Sequence, residues 1–303
     1  RSTQAKTLFP YTTLFRSKRS WLTDEQRFNK IIKPAIGAKP LSAITREDIQ
    51  AIVDGLMDSG AAPSTIKQYR SIISYTFTQA SLMKLEGATI FTGQNPVRGV
   101  KIPPIKNSRE RFLTAKEAKA LVNSAKKLPC QDLHDCIVLS LNTGLRLGEL
   151  QRLEWPDVDL VHAMLTVRDE AHRKPGGKVP LNDAALKIFK ERRRAGPTEP
   201  SMGLVFPPVI GNEMRTNLSH AFRALADSIG LNDGIKQDDR ARRIVFHSLR
   251  HTFASWLACN GEDIYRIQRL MRHRTITMTM RYAHLIPDAT RSAVHNLKPP
   301  KTL

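Results

Sequence analysis

Apolar residues recur at helical spacing through most of the chain, and the breaks in that spacing divide it. Ile49, Ile52, Val53 and Leu56 form a stripe three and four residues apart, and Thr45 with Asp48 ahead of them makes a near capping box. Ser59-Gly60 ends this helix. Pro63-Ser64-Thr65 opens another, whose apolar face is Ile66, Tyr69, Ile72, Ile73 and Phe77. Asn95-Pro96 and Pro103-Pro104 then interrupt the period. The pattern predicts a small all-helical domain from Lys18 to about Val100, with a proline- and lysine-bearing linker completing a first block over residues 18–106.

The second block, residues 107–303, opens with a capping box, Thr114 to Glu117, ahead of Ala118, Leu121 and Val122. Ile137, Val138, Leu139 and Leu141 form an apolar run suited to a buried helix, which Thr143-Gly144 stops. Leu145 starts a short helix carrying Leu147, Leu150 and Leu153. The period then shortens. Met164–Val167 and Val179–Leu181 are predicted strands, with Pro175-Gly176-Gly177 as the turn between them. Helical spacing resumes after Leu181. Gly261 caps a helix that starts near His247, and Pro287 stops a short helix that begins near Thr275 and carries Tyr282. The expected fold class is mainly α with a small β-sheet (α+β), in two domains.

Charge narrows the partner. The formal net charge is +20 with a pI near 10.2, and the excess is spread over both blocks. A polyanion is the simplest counterpart, nucleic acid above all. An anionic membrane surface would call for a basic amphipathic helix with exposed aromatics, and none stands out. No run of about 18 apolar residues suggests a membrane span, and no secretory pattern opens the chain. Cys130, Cys136 and Cys259 lack CxxC spacing, which argues against a disulfide framework or a zinc knuckle. Cys136 and Cys259 are expected to be buried small hydrophobes, in keeping with a reducing cytoplasm. Thr7–Ser17, TLFPYTTLFRS, looks like the in-frame translation of a common sequencing adapter. Residues 1–17 are therefore expected to be a disordered, adapter-derived stretch standing in place of the native N-terminus.

Candidate chemistry gathers in the second block. Arg146 and Glu149 are three apart, as are His247 and Arg250, so on a helix each pair shares a face and can aim at one point. An arginine fork matches two phosphate oxygens and stays charged near neutral pH. Two forks suit the extra negative charge of a pentavalent phosphorus. His247 can share a proton. His251, one residue past that pair, is expected to point elsewhere and to be structural. His273 follows an apolar stripe of Ile264, Ile267, Leu270 and Met271, where it could donate to a phosphate oxygen. Of the five tyrosines, Tyr11 lies in the adapter-like stretch, Tyr69 and Tyr75 in the helical block, and Tyr265 in an apolar stripe. Tyr282 alone sits in a basic, histidine-bearing segment, and a phenol needs positive surroundings to act as a nucleophile. The predicted hairpin offers Lys174, or in reserve Lys178, as the acid for a leaving 5′ oxygen or as a backbone phosphate contact.

TGLRLGEL (Thr143–Leu150), GGKVPL (Gly176–Leu181), HSLRHTFAS (His247–Ser255) and RHRTITMTMRYAHL (Arg272–Leu285) together resemble the tyrosine recombinase, or phage integrase, family. The likeness runs from Lys18 to about Leu297, and the nine residues from His273 to Tyr282 are the family's usual spacing. It implies an N-terminal helical core-DNA-binding domain and a C-terminal catalytic domain that clamp duplex DNA. By position, Arg146, Lys174, His247, Arg250 and His273 would surround the scissile phosphate, and Glu149 would support them. Tyr282 would form a 3′-phosphotyrosine bond and release a 5′ hydroxyl, with no metal or cofactor. Four protomers on double-stranded attachment sites would exchange strands through a four-way junction, with an accessory DNA-bending or directionality protein as a further partner. Two positions depart from the family: Arg272 stands where a glycine usually precedes the histidine, and the hairpin is shorter. A type IB topoisomerase shares this chemistry, and an inactive DNA-binding protein shares the scaffold. A divalent-metal nuclease would need a carboxylate cluster that the sequence lacks.

Overall fold

The computed structural model describes residues 21–85, 87–104, 111–169, 176–195, 203–207, 214–236, 239 and 241–288. Contacts divide the chain into two units, Arg1–Lys106 and Asn107–Leu303. The adapter-like stretch, the end of the linker and Lys174 lie outside the described residues.

The first unit is helical. α1 (Trp21–Arg27) runs through a π-helical turn, Phe28–Ile32, into α2 (Lys33–Ile36), and α3 (Arg46–Asp58) and α4 (Pro63–Leu82) follow. The α3 capping box is complete: the Thr45 hydroxyl accepts from the Asp48 amide, and the Asp48 carboxylate accepts from the Thr45 amide. Ile49, Ile52, Val53 and Leu56 of α3 are buried with Ile66, Tyr69, Ile72, Ile73 and Phe77 of α4 in one core, which Ile32, Ile36, Val97 and Val100 complete. A two-residue ladder, β1 (Lys84–Leu85) with β2 (Ala88–Thr89), follows α4, and nothing in the sequence periodicity marks it.

The second unit is built around α6 (Gln131–Thr143), which packs against α5 (Ala115–Lys126), α8 (Asp183–Ala195) and α10 (Phe246–Cys259). Ten of its thirteen residues are buried, as expected of a helix covered on every side. The short α7 (Leu147–Leu150) comes next, then an antiparallel sheet in the order β3 (Val158–Asp159), β4 (Met164–Val167), β5 (Gly177–Pro180). β4 and β5 are the two expected strands, with Gly177 inside β5 rather than in the turn: it lies opposite Val167, which leaves residues 168–176 as the connection. β3 was not foreseen, because a two-residue strand carries no period. α9 (Met214–Ser228), α10 and α11 (Ile264–Met271) lead to two 3-10 segments, Ile276–Met278 and Met280–Leu285, where one short helix was expected. The main core lies between α5, α6, α8, α9, α10 and the sheet. A small second core, made of Ala254, Ala258, Ile267, Met271 and Tyr282, joins α10, α11 and the last 3-10 segment. Among the described residues no helix is long and apolar enough to cross a membrane.

Candidate active site

The site begins where α6 ends. Gly144 takes a left-handed conformation (φ +65°), and a Cβ there would lie 2.6 Å from a ring carbon of Phe253 on α10. Backbone and space both require glycine at this position. The chain then turns into Arg146, which is the N-cap of α7 in extended backbone (φ −78°, ψ 153°). The expectation that Arg146 and Glu149 share a helix face is therefore corrected: the Glu149 carboxylate caps the residue that precedes the helix, accepting from both its amide and its guanidinium. The Arg146 amide donates to Glu149 Oε2 at 3.0 Å, and its guanidinium Nη1 donates to Oε1 at 2.5 Å.

α10 supplies three side chains. Arg250 is 1% exposed, and its Nη1 and Nη2 donate to the carbonyls of Gly144 and Met271. This fork ties the C-terminus of α6 to that of α11 and satisfies carbonyls that a helix end leaves open. His247, three residues earlier, is exposed. His251 is buried, with its ring edge-on to that of His247 (centroids 4.8 Å apart) and its Nδ1 2.6 Å from the Tyr282 hydroxyl. The expectation that His251 points elsewhere is thus overturned. It is one helical turn from His247, so the i, i+4 relation that places them together was available in the sequence.

α11 ends at Arg272, which occupies a left-handed conformation (φ 51°, ψ 46°). Side chains other than glycine and asparagine adopt it at a cost of about 1 kcal/mol. What offsets the cost is visible: Arg272 Nη2 donates to Glu149 Oε2 at 2.8 Å with its side chain 2% exposed. A glycine could not reach that carboxylate. Glu149 thus holds two guanidiniums. Burial works against its ionisation, but Arg272 and the bonds from Arg146 overcome it and keep the carboxyl below the usual range.

The next turn places His273 and Tyr282. The His273 amide donates to the Gln268 carbonyl, and Gln268 Nε2 donates to the His273 carbonyl. His273 Nδ1 lies 2.9 Å from the Thr279 hydroxyl. If that hydroxyl donates to Nδ1, the single proton of a neutral imidazole sits on Nε2, ready for an acceptor. The Tyr282 amide donates to the Thr279 carbonyl at 2.9 Å, and its ring, 4% exposed, packs in the small core. Lys178 lies on β5 opposite Thr166 and is exposed. Two sequence expectations fail nearby. Tyr265 is 64% exposed rather than part of the α11 apolar stripe, and Cys259 is exposed, whereas Cys136 is buried as expected. Among the described residues no group of three His, Cys, Asp or Glu side chains is arranged to hold a metal ion.

Cation crowding governs the electrostatics. Burial, then the neighbouring Arg146 and Arg272, push Arg250 down to about 9, against the pull of Glu149 and Tyr282. It remains charged at neutral pH. Burial, then Arg250, Arg146, Arg281 and Arg272, push His273 down to about 3. Burial raises Tyr282 to about 12, although Arg281 and Arg250 oppose it. A histidine whose folded pKa lies below its unfolded value takes up a proton on unfolding. The stability His273 contributes is therefore complete above pH 6.5 and is lost as the pH falls from there to about 3. NMR titration should find its ring neutral at pH 5, and His273→Asn should flatten that part of the melting-temperature profile.

The model of the phage integrase family matches residues 111–288, and that of the phage integrase N-terminal SAM-like domain matches residues 16–57. The integrase of Salmonella phage P22 is 30% identical over 225 residues, or 70% of this chain, and the integrase of Escherichia phage P2 is 27% identical over 251 residues, or 83%. The chain spans only 53% and 64% of those two proteins' own lengths. Tyrosine recombinase XerC of Xylella fastidiosa (strain M23) is 28% identical over 80% of this chain and 77% of its own. Among solved structures, the Tn1549 transposon integrase in complex with a circular intermediate DNA superposes with a TM-score of 0.69 at 19% identity, over 94% of this chain and 96% of that one. A lambda integrase dimer bound to a COC′ core site gives 0.64 at 23% identity, over 86% and 90%. At these identities the superpositions speak to the fold.

Proposed function

The chain belongs to the phage integrase family, and from that premise we propose that it is a site-specific DNA recombinase, cutting and rejoining duplex DNA through a 3′-phosphotyrosine intermediate. The observation that carries this reading is the charge arrangement: three guanidiniums, Arg146, Arg250 and Arg272, around one carboxylate, Glu149. Buried like charges at this density call for an anion, and a phosphodiester supplies one.

Arg146 and Arg250 are the forks for the non-bridging oxygens. A guanidinium has five N–H donors, so the two that Arg250 commits to carbonyls orient the group and others remain for phosphate. His273 donates a hydrogen bond as a neutral imidazole, and exposed His247 shares a proton with the substrate. Lys174, or Lys178 in its place, protonates the leaving 5′ oxygen. Tyr282 is the nucleophile, Glu149 holds Arg146 in position, and the covalent bond to tyrosine conserves the energy for rejoining. The substrates are double-stranded attachment sites of a mobile element or prophage, on which four copies assemble with an accessory bending or directionality protein, in the bacterial cytoplasm.

The test is a suicide substrate, a nicked site whose 5′ fragment diffuses away after cleavage. Trapped adduct, digested and mapped, should carry its DNA on the Tyr282 peptide; attachment elsewhere refutes the assignment. Burial of the phenol favours a second reading, a DNA-binding protein that does not cleave, and the absence of any adduct on cognate DNA would support it. DNA affinity should also fall steeply with salt, by about 10³-fold or more between 50 and 200 mM if six or more phosphates are neutralised. A flat salt dependence would contradict the phosphate-clamping picture.

A further inference from the structure

We propose that His251 is the base that takes the Tyr282 phenolic proton as the oxygen attacks phosphorus. This rests on the reading of Tyr282 as nucleophile and adds a residue to it. The Nδ1–phenol distance of 2.6 Å is that of a short, well-made hydrogen bond, and both partners are buried. The other basic groups nearby are committed elsewhere: the Glu149 carboxylate to Arg146 and Arg272, and His273 Nδ1 to Thr279. A phenol packed among Ala254, Ala258, Ile267 and Met271 cannot hand its proton straight to bulk water. His251 lies between it and the exposed ring of His247, one turn earlier on α10. An imidazole is also the side chain suited to moving protons near neutral pH.

The step balances. The phenol O–H bond breaks as the O–P bond forms, and the proton passes to Nδ1, which requires the His251 tautomer with its own hydrogen on Nε2. The bond from phosphorus to the 5′ oxygen breaks, and that oxygen leaves with a proton from a separate acid, the hairpin lysine. On rejoining, the hairpin lysine takes back the proton of the 5′ hydroxyl as that oxygen attacks phosphorus, the bond from phosphorus to Tyr282 breaks, and His251 returns its proton to the departing phenolate.

The experiment measures single-turnover adduct formation by the full chain on a suicide substrate. His251→Asn keeps an acceptor near the Nδ1 position but cannot take a proton. It should bind DNA as the parent does and form adduct at least ~100-fold more slowly. Added imidazole should restore adduct formation in His251→Ala, a rescue that loss of packing alone would not show; failure of rescue together with a lowered melting temperature in both variants would overturn the proposal. A 5′-bridging phosphorothiolate, whose sulfur leaves without a proton, should not repair His251→Asn. Repair would place His251 on the leaving-group side, and a parental or faster rate would make it a restraint on the ring; either overturns the proposal. Adduct from Tyr282→Phe would instead overthrow the nucleophile reading, so the two failures are distinguishable.

Discussion

Tyr282→Phe should bind its DNA site with parental affinity and yield no covalent adduct on a suicide substrate, read as the loss of the shifted band on a denaturing gel. The substitution removes one oxygen and leaves the ring where it packs, against Ala254, Ala258, Ile267 and Met271. Its folding cost is small. His251 Nδ1 loses a partner 2.6 Å away, which costs about 1 kcal/mol or somewhat more for a buried group left unsatisfied. The apolar ring is easier to desolvate than the phenol, which offsets part of that. Thermal melting should therefore move by only a few degrees, while the chemical readout goes to zero. Among the other described tyrosines, Tyr69 and Tyr75 belong to the helical unit, and Tyr265 is 64% exposed on α11. Residual adduct above background would mean that another side chain attacks.

Much of the secondary structure within each unit was legible in the sequence, because local signals and tertiary structure agree there. The capping boxes at Thr45 and Thr114, the stop at Gly144 and the apolar stripes of α3 and α4 are set by contacts within a few residues, and they appear where the spacing places them. For the candidate site residues, the sequence carried little of the geometry. Arg146 and Glu149 are three apart, but the helix starts after Arg146, so the pair meets as a cap and not across a face. Arg250 reads as a phosphate fork, whereas its carbonyl partners, Gly144 and Met271, lie far from it in sequence. Arg272 breaks the local rule for a left-handed residue, and only the carboxylate of Glu149, 123 positions away, explains it. His251 was misread because adjacency to Arg250 was weighed instead of its one-turn relation to His247. Its bond to Tyr282 spans 31 residues, and no periodicity reports a contact of that kind.

Arg250→Ala and Arg146→Ala should each slow cleavage by several orders of magnitude, and stability should tell them apart. Removing one preorganised donor from a developing oxyanion costs about 10²–10³ in rate, and each of these side chains brings more than one. Arg250 is also a tie: its 1%-exposed guanidinium joins two helix ends, and alanine would leave the Gly144 and Met271 carbonyls buried and unsatisfied. At about 1–3 kcal/mol for each orphaned group, less what is gained by relieving repulsion from Arg146 and Arg272, the variant should melt measurably lower. Arg146 has a side chain 19% exposed, and its partner Glu149 keeps Arg272 when it is gone, so Arg146→Ala should melt close to the parent. Arg250→Lys separates the two roles. It keeps the charge but cannot fork to both carbonyls and a phosphate, so it should stay intermediate in stability while cleavage remains at least ~100-fold down. If Arg250→Lys instead cleaved at the parental rate, charge alone would suffice at this position. If either alanine variant merely weakened DNA binding, with adduct formation unchanged at saturation, that arginine would be a backbone contact and not part of the chemistry.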